Sequence, residues 1–214
     1  MDHPEPWPPR NLVLRTPRLE LRPDEDEGLR ELVEVAYGGV HDPATMPFKV
    51  PWTDADPAHL GRGTLQHFWQ QRAQLCPQRW ALHFLVRYQG RVIGVQSMSA
   101  DDFDPLRNVG TGSWLGLPHQ RRGFGTEMRA AVLQFAFDHL GALEAISGAF
   151  GDNTASLTVS DRLGYRHNGT RTVLRRDQPA TEVLLRLTPA DFRRPDWGLR
   201  VEGVEECLSL LGAG

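Results

Sequence analysis

The sequence predicts an α+β domain with α/β-type layers, in which a mixed, mostly antiparallel central sheet is flanked by helices. Three observations carry that expectation. Residues 81–98 read as a β-hairpin, residues 109–187 alternate strand, helix, strand, helix and strand, and residues 123–140 form the most regular amphipathic stretch of the chain. Hairpins mixed with helical crossovers exclude an all-parallel sheet and imply helices layered on a mixed one. At 214 residues, one domain with short tails is the default.

The elements follow in order. Residues 1–11 hold four prolines and read as a flexible arm. Leu19-Glu20-Leu21-Arg22 alternates apolar and charged side chains, as a half-buried strand does. A helix opens at Asp24, acid-rich where the helix dipole favours anions, and stops before Gly38-Gly39. Residues 41–52 combine three prolines with Met46, Phe48 and Trp52, which suits an ordered loop lying over something. A second helix spans 57–75, with Leu60, Leu65, Phe68 and Leu75 facing inward. Leu82, Phe84, Val86 and Tyr88 share one parity of a strand, Gln89-Gly90 makes a turn, and Val92 to Met98 returns.

An acidic loop, residues 101–107, precedes a glycine-rich strand from Val109 to Leu117. In the helix that follows, Met128, Ala131, Val132, Phe135 and Ala136 keep the spacing of a buried stripe, and Gly141 ends it. Glu144 to Phe150 reads as a short strand, and Asn153 as the N-cap of a helix ending at Gly164. Val183, Leu185 and Leu187 mark a last strand. Residues 12–194 make the domain, and 195–214 a C-terminal packing segment.

Composition narrows the function. The chain is 40% hydrophobic and 24% charged, with a net charge of −3, which argues against a nucleic-acid partner. Two cysteines, Cys76 and Cys207, exclude a disulfide framework and a C-x-x-C metal site, though not a single disulfide. The histidines, among them His41, His83 and His119, show no ligand spacing, so no metal is expected. The acidic, proline-broken start is not a secretory signal, and no apolar run approaches the ~20 residues that span a bilayer. A cytoplasmic protein without membrane attachment is the expectation.

The strongest chemical signal is Gln120-Arg121-Arg122-Gly123-Phe124-Gly125-Thr126, placed where a strand ends and the best helix begins. A helix N-terminus offers unpaired N–H groups and partial positive charge. Gly123 and Gly125 let the backbone approach a pyrophosphate, Arg121 and Arg122 supply charge for its oxygens, and Thr126 adds a hydroxyl. Neither a P-loop nor a dinucleotide fingerprint is present.

The segment resembles the [QR]-x-x-G-x-[GA] loop of the GNAT acyltransferase superfamily. Gly112-Ser113-Trp114-Leu115-Gly116 is similar to the G-x-W-L-G strand before that loop in the RimJ/RimL-like branch, which acetylates ribosomal-protein N-termini. Asp152-Asn153-Thr154-Ala155-Ser156 with Arg162-Leu163-Gly164-Tyr165, and the opening Thr16-Pro17-Arg18-Leu19-Glu20-Leu21-Arg22, resemble further signatures of the branch. The likeness runs over about residues 12–190 and implies the GNAT fold. It implies acyl-coenzyme A as co-substrate, and transfer of an acetyl or succinyl group to a primary amine of a small molecule, protein N-terminus or lysine.

Further roles follow from the resemblance. Backbone groups at Leu115 and Leu117 are expected to bind the coenzyme arm and polarise the thioester carbonyl. Asn153, Ser156 and Ser160 are expected on one coenzyme-facing side of their helix, with Ala155, Val159 and Leu163 inward. Relatives often place a glutamate base just before the G-x-W-L-G strand, where this chain has Gly110 and Thr111. Asp101, Asp102 and Asp104 are the substitutes considered for the base, and Ser156 or water for the donor to sulfur. Met46, Phe48, Trp52 and His83 are assigned to the acceptor or acyl pocket, and Arg87 or Arg107 to a distal carboxylate of a succinyl donor. Relatives often pair as homodimers. The missing glutamate keeps a second class open, a non-catalytic acyl-CoA-binding regulatory module; an unrelated phosphate-binding domain is the third.

Overall fold

The computed structural model describes residues 3–214. Nine strands form one sheet in the order β7-β8-β6-β5-β4-β3-β2-β1-β9. In chain order they are β1 (Val13–Arg15), β2 (Leu19–Pro23), β3 (Arg79–Tyr88), β4 (Arg91–Asp101), β5 (Asn108–Leu115), β6 (Glu144–Phe150), β7 (Arg166–Arg175), β8 (Gln178–Leu187) and β9 (Arg200–Glu202). Every pairing is antiparallel except β5 with β6, which run parallel. The helices are α1 (Asp26–Tyr37), α2 (Pro57–Ala73), α3 (Phe103–Leu106), α4 (Phe124–Gln134) and α5 (Thr154–Leu163).

The sheet separates two apolar layers. On one face α1 and α2 bury Leu29, Leu32 and Phe68 against Leu85, Val92 and Val95. On the other, α4 and the turn after it sink Met128, Ala131, Val132 and Phe135 onto Leu14, Leu21, Phe84 and Val86. Both hairpin parities are therefore filled, which explains why β3 and β4 are buried almost throughout. The single parallel junction follows from α4, whose crossover returns the chain to the end of the sheet where β5 began.

Local chemistry sets the boundaries. Glu25 caps α1, its carboxylate accepting from the N–H groups of Glu27 and Gly28, so the helix starts two residues after the expected Asp24. The chain leaves α1 through Gly39, whose φ of +94° suits glycine. The expected 123–140 helix is α4 plus a π-turn over Phe135–His139. The loop expected at 101–107 contains α3. Within residues 1–11, Pro8–Asn11 makes a 3-10 turn with Pro9 buried. In the C-terminal stretch Cys207 and Leu211 are buried, and Trp80 Nε1 donates to Leu211 O at 2.9 Å. Cys76 and Cys207 are both free thiols. No helix among the described residues is long and apolar enough to cross a membrane.

Candidate active site

β5 and β6 pair only over Asn108–Gly110 with Glu144–Ile146. Beyond that, β6 has β8 on its other edge, and only the Ser147 hydroxyl reaches back, donating to Thr111 O at 3.3 Å. The strands thus part toward their C-terminal ends, the end at which α4 and α5 both begin. Two helix N-termini converge on one opening in the sheet.

They are not equivalent. Asn153 caps α5, its Oδ1 accepting from Ser156 N at 3.1 Å. α4 begins after Gly123, which stands at φ +81° and contributes no side-chain cap. Glu127 N closes the first turn on Gly123 O, and the N–H groups of Phe124, Gly125 and Thr126 have no intrahelical acceptor. Arg121 and Arg122 are exposed, and neither pairs with a carboxylate among the described residues. Arg122 instead lies over the rings of Tyr88 and Phe124, at 5.3 and 5.0 Å. Free donors, partial positive charge and two unneutralised cations fit a diphosphate.

The other loop residues brace this arrangement. Gln120 Nε2 donates to Val40 O at 2.7 Å and Leu115 O at 2.8 Å. The Phe124 side chain is buried against Tyr88. Leu117 lies past β5 in a 3-10 turn, its N–H taken by Gly39 O. Of the Leu115 and Leu117 backbone groups expected to meet the coenzyme, the Leu115 carbonyl and the Leu117 amide already have partners within the fold.

Arg18, in the turn between β1 and β2, also braces the loop, a role that motif reading missed. Its Nε donates to Glu127 Oε2 at 2.6 Å and its Nη1 to Arg122 O at 3.1 Å, while the guanidinium lies 4.6 Å from the Phe124 ring centroid. Its place in the opening T-P-R-L-E-L-R run was the available signal. Arg129 was missed too. A lone arginine among Met128, Ala130, Ala131 and Val132 was its signature, and the structure buries it.

Two assignments are corrected by strand direction and burial. Asp101 ends β4 and Asp102 follows it, and β4 runs antiparallel to β5. Gln96 pairs with Ser113 and Ser99 with Gly110, so Asp101 lies five residues beyond Gln96, about 16 Å along the strand from the point where the sheet opens. Asp101 there meets Arg79, and Asp104 meets Arg107. Ser160, expected on a coenzyme-facing side, is 1% exposed; its hydroxyl donates to Ser156 O and accepts from Arg129 Nη1. Ala155, expected inward, is exposed, whereas Ser156 stays half-accessible. Arg87 is held by Glu25 and Glu31, and Arg107 by Asp104 and nearby carbonyls, which leaves neither free for a donor's carboxylate.

The α1/α2 face of the opening is a trough. Gly110, Gly112 and Trp114 alternate along β5 on this side; a Cβ on Gly110 would approach Ser99 Oγ at 3.3 Å and Ile146 Cγ1 at 4.0 Å, and one on Gly112 would meet nothing within 4 Å. Ile146 is 41% exposed, an apolar floor open to solvent. The 41–54 segment forms one wall. Trp52 packs on Trp114 and Phe48 on Trp52, each at 5.3 Å between centroids, while Met46 is buried beneath. The β7–β8 hairpin meets that wall through Arg176, bound to Asp54, and through Glu182, bound to Lys49 and Arg171. Burial raises the Glu182 carboxyl, but Lys49 and Arg171 outweigh it and hold it below the usual range.

His83 is buried on this face, beneath α2. Its Nδ1 lies 2.7 Å from Ser97 Oγ and its Nε2 has no partner. Burial, with His67 adjacent, pushes it down to about 3. It packs between His67 and Phe68. His67, more accessible on α2, is also held below its ordinary value by burial.

The family model described as Acetyltransferase (GNAT) domain matches residues 18–166. The solved structure of Mycobacterium smegmatis RimJ in complex with CoA-disulfide is 17% identical, covers 94% of this chain and 94% of its own, and superposes with a TM-score of 0.73. RimL, a ribosomal L7/L12 alpha-N-protein acetyltransferase in complex with coenzyme A, is 15% identical, covers 82% and 97%, and gives 0.66. The microcin C7 self immunity acetyltransferase MccE, in complex with acetyl-CoA and AMP, is 14% identical, covers 81% and 93%, and gives 0.61. At these identities the likeness to the three is one of fold.

Proposed function

The chain belongs to the GNAT acetyltransferase family, and from that premise we propose that it moves an acetyl group from acetyl-coenzyme A to a primary amine seated in the trough. Bound in the opening, the coenzyme supplies an activated thioester. The observation that carries this placement is the uncapped N-terminus of α4 at Gly123, set beside the parting of β5 and β6.

Each wall then has a task. The N–H groups of Phe124, Gly125 and Thr126, with Arg121 and Arg122, bind the diphosphate. The β6-facing backbone of Ser113, beyond the last β5–β6 pair, is left for the coenzyme arm and the thioester carbonyl. Ser156 lines the arm from α5. Trp52, Phe48 and Trp114 hold the apolar part of the acceptor and exclude water, and the glycine floor lets its amine reach the carbonyl through the opening. The neutral imidazole of His67 is the basic group we assign to the acceptor's proton, since Asp101 and Asp102 stand at the wrong end and Glu182 is neutralised by its cations. The trough is open along Gly112 and Ile146, which favours an extended acceptor such as a peptide terminus. A succinyl donor has no free arginine among the two first considered.

Thermal unfolding tests the reading. With coenzyme A, acetyl-CoA or succinyl-CoA at ~100 times its dissociation constant, the wild-type fold gains roughly 2.7 kcal/mol. Gly123→Glu and Arg122→Glu place negative charge on the diphosphate site, and their response is lost. No stabilisation of wild type by any of the three overturns the assignment. Coenzyme binding without acyl transfer to any amine or peptide makes the chain a binding module instead.

A further inference from the structure

Arg129 projects from the sheet-facing side of α4 and is 4% exposed, yet its contacts are two neutral hydroxyls. Nη1 donates to Ser160 Oγ at 3.0 Å and Nη2 to Ser113 Oγ at 3.1 Å, while Nε is buried with no partner. A guanidinium carries five N–H donors, so three remain. No carboxylate pairs with it among the described residues. The neighbouring phenol, Tyr165, is bonded to Thr111 Oγ1 at 3.1 Å and is held protonated by burial. Burial of such a cation carries a large desolvation penalty, which holds the Arg129 guanidinium below its ordinary value, and no carboxylate among the described residues offsets it.

Its position gives that charge a use. Ser113 lies three residues beyond the last β5–β6 pair, and Ser160 lies on α5. Arg129 therefore ties β5, beyond its last pair with β6, to α5, the helix that follows β6. We propose that Arg129 is a catalytic residue that stabilises the coenzyme A thiolate as it departs, an inference that rests on the coenzyme occupying this opening. As the amine nitrogen forms its bond to the carbonyl carbon, the carbon–sulfur bond breaks and its electron pair leaves on sulfur. The nitrogen's proton passes to the base and on to water. Arg129 keeps its own protons and donates hydrogen bonds to the sulfur, which takes a proton from solvent on release. Neutral serines orient the guanidinium without cancelling its charge, as a carboxylate there would.

The thiol itself reports the effect. The ultraviolet absorbance of the thiolate is titrated in the complex with coenzyme A, with the desulfo-coenzyme A complex as blank for tyrosine and cysteine. In wild type the bound thiol titrates about one pH unit or more below free coenzyme, and in Arg129→Met that depression disappears. Arg129→Met replaces a buried charge with an apolar side chain of similar length, a change that folds tolerate. Arg129→Lys retains part of the depression and covers the case in which the methionine variant fails to fold. In turnover, Arg129→Met lowers kcat roughly 10- to 100-fold with the KM for acetyl-CoA little changed. A bound thiol that titrates like free coenzyme in wild type, or one equally depressed in Arg129→Met, overturns the proposal while leaving the coenzyme site in place. Failure of wild type to bind coenzyme A at all removes the underlying site instead.

Discussion

Arg176, at the tip of the β7–β8 hairpin, grips Asp54 of the opposite loop with two parallel bonds, Nε to Oδ2 and Nη2 to Oδ1, both 2.6 Å. A third bond from Nη2 reaches Pro43 O at 3.1 Å. The pair joins residues 122 positions apart across the trough. Because it is solvated, its worth to global stability is small, and its effect is local. Arg176→Ala is expected to leave the unfolding temperature unchanged and to speed amide hydrogen exchange across residues 41–54, with α4 unaffected. Unchanged exchange in that segment would mean that the aromatic stack alone holds the wall.

That stack makes a separate prediction. Trp52 stands between Phe48 and Trp114, so Trp52→Ala should raise the acceptor KM about 10-fold or more through lost apolar contact, while the affinity for coenzyme A stays as in wild type. Loss of both affinities together would place Trp52 in the support of the opening and not in the acceptor wall.

Arg18 connects the N-terminal strands to the start of α4 through Glu127, which is 7% exposed and also accepts from Thr16 Oγ1 at 2.6 Å and Arg18 N at 3.1 Å. Removing the guanidinium leaves a buried carboxylate short of one partner. Arg18→Ala should cost about 1–3 kcal/mol by chemical denaturation and weaken coenzyme binding, and Glu127→Gln in the same chain should recover part of the stability. Additive losses in the double variant would contradict the coupling.

His83 predicts how stability depends on pH. Its folded value, about 3, lies below the ordinary 6.5, so the fold prefers the neutral ring. The stability tied to that preference is complete above 6.5 and is lost as pH falls toward 3. At about 1.36 kcal/mol per unit, denaturation near pH 4.5 should find wild type weaker than at neutral pH by roughly 2–3 kcal/mol from this ring alone. His83→Phe should flatten that slope; equal slopes in the two proteins would show that the ring is not buried neutral.

A last pH effect concerns turnover. If His67 takes the acceptor's proton, activity falls on the acid side at a pH below the ordinary histidine value, since burial depresses this ring. His67→Gln should lower kcat and remove that limb of the profile. An unchanged acid limb would assign the proton to water.

The hairpin, the long helices and the glycine-rich entry to α4 were legible because each writes a local pattern: one parity in Leu82 to Tyr88, an i, i+3, i+4 stripe in α4, and glycines after a pair of arginines. β7 escaped notice because it is an edge strand with nearly all of its ten residues exposed, so no apolar alternation marks it. β1 and β9, three residues each, are too short to show a period. The misplacement of Asp101 and Asp102 has a different origin. Their loop is close to β5 in sequence, but only the antiparallel register shows that a short loop there joins the wrong ends. Ser160 went astray because helical spacing gives a face without saying what packs on it, and Arg129 is what packs there.

Two glycines beside the trough, Gly112 on β5 and Gly148 on β6, differ in what surrounds them. Gly148 sits under Glu182, where an added Cβ would fall 2.3 Å from Oε1, whereas the space above Gly112 is empty. Neighbours in function, they differ in what drift can do to them. At Gly148 a side chain would displace the Glu182 carboxylate that joins Lys49 and Arg171. Gly112 is free to accept alanine or serine without repacking anything, and each such step trims the room above the opening. Selectivity for a narrower amine is therefore one codon change away at Gly112, and the scaffold stays indifferent to it.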